Sequence, residues 1–384
     1  MKNIYFDCAA TTPLDPAVFK AMAPYQSDIF ANPGSLHQPG QQASAAIFSA
    51  RRSIATPLKV PYTNIIFTGS ATEANNLALR GAVKRAGMRK PKIIISAFEH
   101  ESILDTAEDL EQEGVEVIYL PVSRSGFVDL KKLQAELDEN VVLVSLMHVN
   151  NEVGTIQPIQ EAANIIKAFK KDRPYPLFHS DSVQAFQYLP CIPEELGLDL
   201  MTLSAHKIYG PKGIGLLYVK DAQKLSPIIT GGGQERGLRS ATENTPAIVG
   251  FGKAMELIEK KRKKETLRVS ALRDDLLKGL KRIFSKLRVN GSLNKRIANN
   301  LNCSLPKISS EKALTFFDLQ GIAISAGPAC SARSLEPSKT LLAMGLSKEA
   351  ASESIRISLG KMTKKSDIKA FVLAAKQLKK SFGA

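Results

Sequence analysis

Seven short apolar runs between residues 64 and 220 constrain this 384-residue chain more than any other feature. They read NIIFT from 64, KIIIS from 92, VEVIYLPV from 115, VVLVSLMHV from 141, PLFHSDS from 176, LDLMTLSAH from 198 and GIGLLYVK from 213. They lack a strict polar/apolar alternation, so each reads as a strand buried on both faces, and stretches of helical length separate most of them. Strands and helices in alternation build a mostly parallel sheet with helices packed on it. The fold class is therefore α/β, with a large domain over residues 15–252. After a long basic helix the pattern changes to shorter mixed elements, RIANNLNCSLP, ALTFFDLQGIAIS and SIRISLG, then a final amphipathic helix over 366–380. These predict a smaller α+β domain over 253–384, to which residues 1–14 return.

In open parallel sheets, ligands gather at the carboxyl ends of the strands, where loops and helix N-termini converge. Those ends are polar here. The stretch LSAHKIYGPKGIG, residues 203–215, puts Lys207 between two buried strands. Burial disfavours an ammonium and lowers its pKa, the property an amine needs to attack a carbonyl and hold it as a Schiff base. After NIIFT, the sequence GSATEANNLAL brings Gly69, Ser70 and Thr72 to a helix start, whose free N–H groups favour a phosphate. KIIIS is followed by His100, VVLVSLMHV by Asn151, and PLFH by Asp181 and Gln184. Singly, each has a plain structural reading: a solvated lysine, a helix cap, a hydrogen-bonded loop histidine. Jointly they match what pyridoxal phosphate requires: a lysine for its aldehyde, a carboxylate for its pyridine nitrogen and a helix terminus for its phosphate. Asp181 keeps that nitrogen protonated, so the ring can draw electrons from a substrate's Cα.

The formal charge is +15, and residues 253–296 carry 15 Lys/Arg against 5 Asp/Glu. Its centre, EKKRKKE, reads as a solvated helix face or as a docking surface for an acidic protein or RNA. With no interleaved aromatics and no RNA-binding motif, direct nucleic-acid binding is not expected. Cys8, Cys191, Cys303 and Cys330 lack metal-site or disulfide spacing, so each reads as a free thiol and no metal is expected. The opening residues MKNIYFDCAATTP carry no apolar leader, and no run reaches membrane-spanning length, which predicts a cytoplasmic protein away from membranes.

The motifs TGSATEANNLAL, EHES, NNEVGTIQP, SDSVQAF, LSAHKIYGPKGIG, GGGQERGLRSATENTPAIVGFG, SAGPACSARSLEPS and SIRISLG occur in order over nearly the whole chain. Together they resemble the cysteine desulfurases (NifS/IscS type) of the class V aminotransferase-like enzymes. The resemblance implies a pyridoxal-phosphate-dependent transferase fold of the aspartate aminotransferase kind, fold type I, with the catalytic cysteine in the smaller domain. It implies that Lys207 is the Schiff-base lysine and proton carrier, and that His100 stacks on the ring and serves as acid/base. Asp181 would meet the pyridinium, and Gln184 the phenolic oxygen. Ser70, Ala71, Thr72, Ser204 and His206 would surround the phosphate, with Thr242 reaching the phosphate of the other subunit of a homodimer. Asn151 and Arg356 would hold the substrate carboxylate.

Cys330 would take the sulfur of L-cysteine as a persulfide, releasing L-alanine, for delivery to an iron–sulfur scaffold or a tRNA-thiolation carrier. Two departures stand out: Ala241 where the family has glycine, crowding the turn if it needs positive φ, and Pro328 where serine is common, stiffening the approach to Cys330. Two rivals remain open. One is another class V activity, such as an aminotransferase or a selenocysteine lyase; the other is a non-catalytic scaffold or RNA-binding protein using the basic helix.

Overall fold

The computed structural model describes residues 3–327 and 337–382. In chain order the strands are β1 (Ile4–Tyr5), β2 (Ile65–Thr68), β3 (Lys92–Ser96), β4 (Glu116–Leu120), β5 (Val141–Ser145), β6 (Leu177–Asp181), β7 (Leu200–Ser204), β8 (Gly215–Val219), β9 (Arg288–Val289), β10 (Asn300–Ser304), β11 (Ile322–Ala323) and β12 (Ser354–Ser358). Each of the seven apolar runs supplies one strand of a single sheet ordered β2-β8-β7-β6-β5-β3-β4. The strands from β7 to β4 pair in parallel, and β8 runs antiparallel between β2 and β7. The protein is an α/β fold with a mostly parallel sheet, as the runs predict.

Successive side chains of these strands go to opposite faces and are buried on both, except on the edge strand β4, where Glu116 and Tyr119 are exposed. In β8, Leu216 and Tyr218 join one core cluster while Leu217 and Val219 join the other; in β3, Ile94 faces one way and Ile93 and Ile95 the other. Helix Ala71–Ala86 and helix Glu101–Gln112 cover one face, and helices Gln38–Leu58 and Thr245–Ile283 the other. Both faces being covered is why the strands carry no polar stripe.

Thr245–Ile283 is one unbroken helix of 39 residues, capped by Asn244, whose side chain accepts from the Ala247 N–H, and admitting Pro246 in its first turn. The expected division between residues 252 and 253 falls inside it. Beyond it, β12, β10 and β9 form a small antiparallel sheet. The N-terminus returns to this part of the chain: β1 pairs in parallel with β11, and the Ser358 N–H donates to Phe6 O across 2.7 Å. That return carries residues 7–12 over the carboxyl rim of the large sheet.

Candidate active site

Helix Ala71–Ala86 begins where β2 ends. Ser70 is its cap, with Oγ accepting from the Glu73 N–H at 3.1 Å, so the N–H groups of Ala71 and Thr72 have no acceptor within the helix. β8 runs close beneath this helix start: a Cβ on Gly215 would lie 2.5 Å from the Ser70 carbonyl carbon, so only glycine fits there. His100 caps helix Glu101–Gln112 after β3. Its Nδ1 accepts from the Ser102 N–H at 3.1 Å, which places the proton of the neutral ring on Nε2.

Asp181 closes β6 and is buried. Asn75 Nδ2 donates to its Oδ2 at 2.9 Å and the Val183 N–H to its Oδ1 at 3.0 Å. Ser204 closes β7, and Lys207 follows in a single 3-10 turn, with Nζ donating to Ala9 O at 2.8 Å and Ala10 O at 2.7 Å. The chain leaves that turn through Tyr209, which holds a φ of 64°. Three bonds maintain this strained backbone: the Tyr209 N–H donates to Thr12 Oγ1, and its hydroxyl accepts from the Lys361 N–H and from Gln187 Nε2. Gln184 Nε2 donates to Ala9 O at 2.9 Å. His206, beside Lys207, bonds Thr11 Oγ1 through Nδ1; burial, with the nearby Lys207, Lys212 and His100, pushes its pKa down to about 4, so it is a neutral ring at pH 7.

Arg356, on β12, is almost wholly buried. Nη1 donates to Asn151 O at 3.1 Å and Nη2 to Asp7 Oδ1 at 2.9 Å, while its buried Nε has no partner among the described residues.

One cavity of about 430 Å3 gathers Ser70, Ala71, Thr72, His100, Asn151, Asp181, Gln184, Ser204, His206, Lys207 and Arg356 along its wall. Thr242 is exposed and stands outside that wall. Ala241 is exposed too and does not occupy positive φ, so its methyl meets no backbone penalty in this turn. Cys330 and Pro328 lie outside the described residues.

A family model described as Aminotransferase class-V matches residues 4–371. The chain is 42% identical over 367 residues to the cysteine desulfurase IscS of Dictyoglomus turgidum, covering 96% of this chain and 92% of that protein. Among solved structures, a NifS-like protein superposes with a TM-score of 0.93 at 34% identity, over 99% of this chain and 100% of that one. A structure described as SspA in complex with cysteine gives a TM-score of 0.78 at 37% identity, over 93% and 98%. The chain belongs to the class V aminotransferase family, in its cysteine desulfurase branch.

Enzymes of this family work with pyridoxal phosphate, and the desulfurase cavity fits that group. A buried carboxylate, Asp181, offers an anion to a pyridinium; the free N–H groups of Ala71 and Thr72 suit a phosphate; and Lys207 supplies a primary amine on the same wall.

Other groups of the desulfurase site were not read from the sequence. Ala9 and Ala10 hold the Lys207 amine through their carbonyls, and nothing in their side chains signals it. Asn75 and Ser102 link Asp181 to His100, since Asn75 Nδ2 donates to both Asp181 Oδ2 and Ser102 Oγ. Their signal lies in TEANNLAL and EHES, where Asn75 is the fifth residue of its helix and Ser102 the second of its own. Their bonding pattern depends on two helices lying side by side.

Proposed function

We propose that this protein is a cysteine desulfurase that converts L-cysteine to L-alanine and leaves the sulfur on Cys330 as a persulfide. The observation that carries the reading is the convergence of Lys207, Asp181, His100 and Arg356 on one cavity. Pyridoxal phosphate would be held through Lys207, with Asp181 at its ring nitrogen, Gln184 at its phenolic oxygen, His100 against its ring, and Ser70, Ala71, Thr72, Ser204 and His206 around its phosphate. When bound, it supplies an electron sink for the pair left at Cα.

Arg356 and Asn151 hold the substrate carboxylate, using the bidentate fork of the guanidinium. Lys207 Nζ takes the Cα proton, and His100 Nε2 holds or passes a second one. The Cys330 thiolate attacks the substrate sulfur: an S–S bond forms, the C–S bond breaks, and its electron pair stays on the carbon that becomes the alanine methyl after protonation.

Thr242, exposed and outside its own cavity, serves the phosphate of a second copy, so the working unit is a homodimer. Residues 15–252 form the cofactor domain, and 1–14 with 253–384 the smaller one. Three described cysteines are free thiols and no described helix is long and apolar enough to cross a membrane; a reducing cytoplasm suits both facts. The persulfide passes to an iron–sulfur scaffold protein or a tRNA-thiolation carrier.

The test is to mix the enzyme with L-cysteine without reductant, quench rapidly and map the peptides by mass. One extra sulfur should sit on the Cys330 peptide, discharged as sulfide by dithiothreitol. Cys8, Cys191 and Cys303, whose thiols burial pushes up to about 12, should stay unlabelled. Cys330→Ser should keep the visible cofactor and form almost no alanine, because a hydroxyl offers almost no anion near neutral pH. Wild-type-like alanine formation by that variant would point to a different class V reaction.

A further inference from the structure

The basic run EKKRKKE, residues 259–265, takes no part in the proposed sulfur chemistry. Three of its residues, Lys261, Arg262 and Glu265, border a second cavity of about 440 Å3, in the size range of small-molecule sites. This cavity lies behind the turn that follows β7: Lys207 lines the first cavity, and the next two residues, Ile208 and Tyr209, line the second. Its body is apolar, with Val18, Ile208 and Ala254 buried on the wall and Leu257 and Ile258 half-buried beside them.

Two features set it apart from a plain hydrophobic hollow. The first is Gln187, a wall residue only 8% exposed. Its Nε2 donates to the Tyr188 hydroxyl at 3.0 Å and to the Tyr209 hydroxyl at 3.1 Å, and its Oε1 is left without a donor among the described residues. An acceptor on a buried side chain that lacks a donor is costly, and a ligand carrying an N–H or O–H would relieve it. The second is the charge at the rim. Asp15 is paired with Lys361, Glu265 with Arg268 at 2.8 Å, and Arg262 with Glu259 at 2.5 Å. The exposed Lys261 has no ion pair among the described residues, so one cation at the rim is not neutralised.

We infer that this cavity is a second ligand site, taking a small molecule with an apolar body, a carboxylate for Lys261 and an N–H or O–H group for Gln187. The match runs group by group. A purely apolar occupant would leave Gln187 unpaired, and a small inorganic anion would leave the apolar wall uncovered.

Indole-3-propionate carries all three parts and serves as the probe. The chain contains no tryptophan, so indole fluorescence reports the probe alone. Equilibrium dialysis against the holoenzyme should show saturable binding at one site per chain. Lys261→Glu, on the exposed side of the helix, should weaken it about tenfold. Replacing the probe by 1-methylindole-3-propionate, which has no N–H, should weaken it about fivefold, the worth of one hydrogen bond. Ala254→Leu, which fills the cavity, should weaken it about tenfold or more. Absence of saturable binding to the wild type overturns the inference. So does an unchanged affinity in Lys261→Glu, whether or not Ala254→Leu folds. Equal binding of the two probes overturns the part given to Gln187. Weaker binding in Arg356→Lys with none of the loss in Lys261→Glu would put the probe in the first cavity and overturn the second site. None of these readouts uses turnover, so they decide the second site independently of the desulfurase reading.

Discussion

Arg356 Nη2 lies 2.9 Å from Asp7 Oδ1, so the ion pair that steadies the guanidinium comes from a residue 349 positions away in sequence. Nη1 is taken by the Asn151 carbonyl, and Nε is left buried without a partner among the described residues. A buried donor without an acceptor is costly, and a substrate carboxylate in the adjoining cavity would relieve it. Lysine at this position keeps the charge and loses the fork. Arg356→Lys is expected to raise KM for L-cysteine on the order of 10–100-fold, with a smaller change in kcat. It should also narrow the preference for cysteine over cysteamine, which has no carboxylate. Steady-state assays with both amines check this, and an unaltered preference would remove Arg356 from substrate recognition.

Asp181 accepts from Asn75 Nδ2 and the Val183 N–H, so it is held in place as well as buried. Asp181→Asn preserves the shape and removes the anion. With the ring nitrogen no longer kept protonated, alanine formation should fall by about 100-fold, the usual effect of removing one charge-stabilising group. Some cofactor should remain bound through Lys207 and the helix start, visible by absorbance. Near-normal turnover in Asp181→Asn would show that the pyridinium needs no carboxylate here.

Glu99 carries an unusual buried carboxyl beneath this site. Its Oε1 accepts from Ser96 Oγ at 2.5 Å and the Met147 N–H at 2.8 Å, while the buried Oε2 has no partner among the described residues. Burial, reinforced by the negative Asp181, pushes its pKa up from 4.5 to about 8. A folded-state pKa above the unfolded one means that the folded protein holds the proton more tightly. Its contribution to stability is full below about pH 4.5 and is lost as pH rises through about 8. Glu99→Gln, which imitates the neutral acid, should match the wild type near pH 4.5. Above that it should gain on the wild type by up to about 1.4 kcal/mol per pH unit across the window. Unfolding midpoints of the two proteins at several pH values check this; parallel profiles would show Glu99 ionised in the folded protein.

The sheet was legible because burial on two faces leaves a local signature. A strand covered on both sides has no solvent face to fill with polar side chains, and those it does carry must be hydrogen-bonded, so mostly apolar runs such as KIIIS and VVLVS mark themselves, and their carboxyl ends follow. Since a parallel sheet sends those ends to one rim, the strand-end residues Ser70, His100, Asp181 and Lys207 could be placed together from the sequence. The match of ordered motifs to a known family added the role proposed for each residue.

What no local pattern encodes is which distant segments meet. Only ten residues join β7 to β8, too few for a parallel crossover, so β8 returns antiparallel beside β7; that β2 then adds to its far side is decided by packing. Ala9 and Ala10 act through their carbonyls, groups every residue has, so their hold on Lys207 exists only because β1 pairs with β11 and carries the N-terminus across the rim. Asp7 finds Arg356, and Glu152 finds Ser338, for the same reason: a hydrogen bond is specified by the meeting of two atoms in space. Their meeting is a product of packing, which only the tertiary structure supplies.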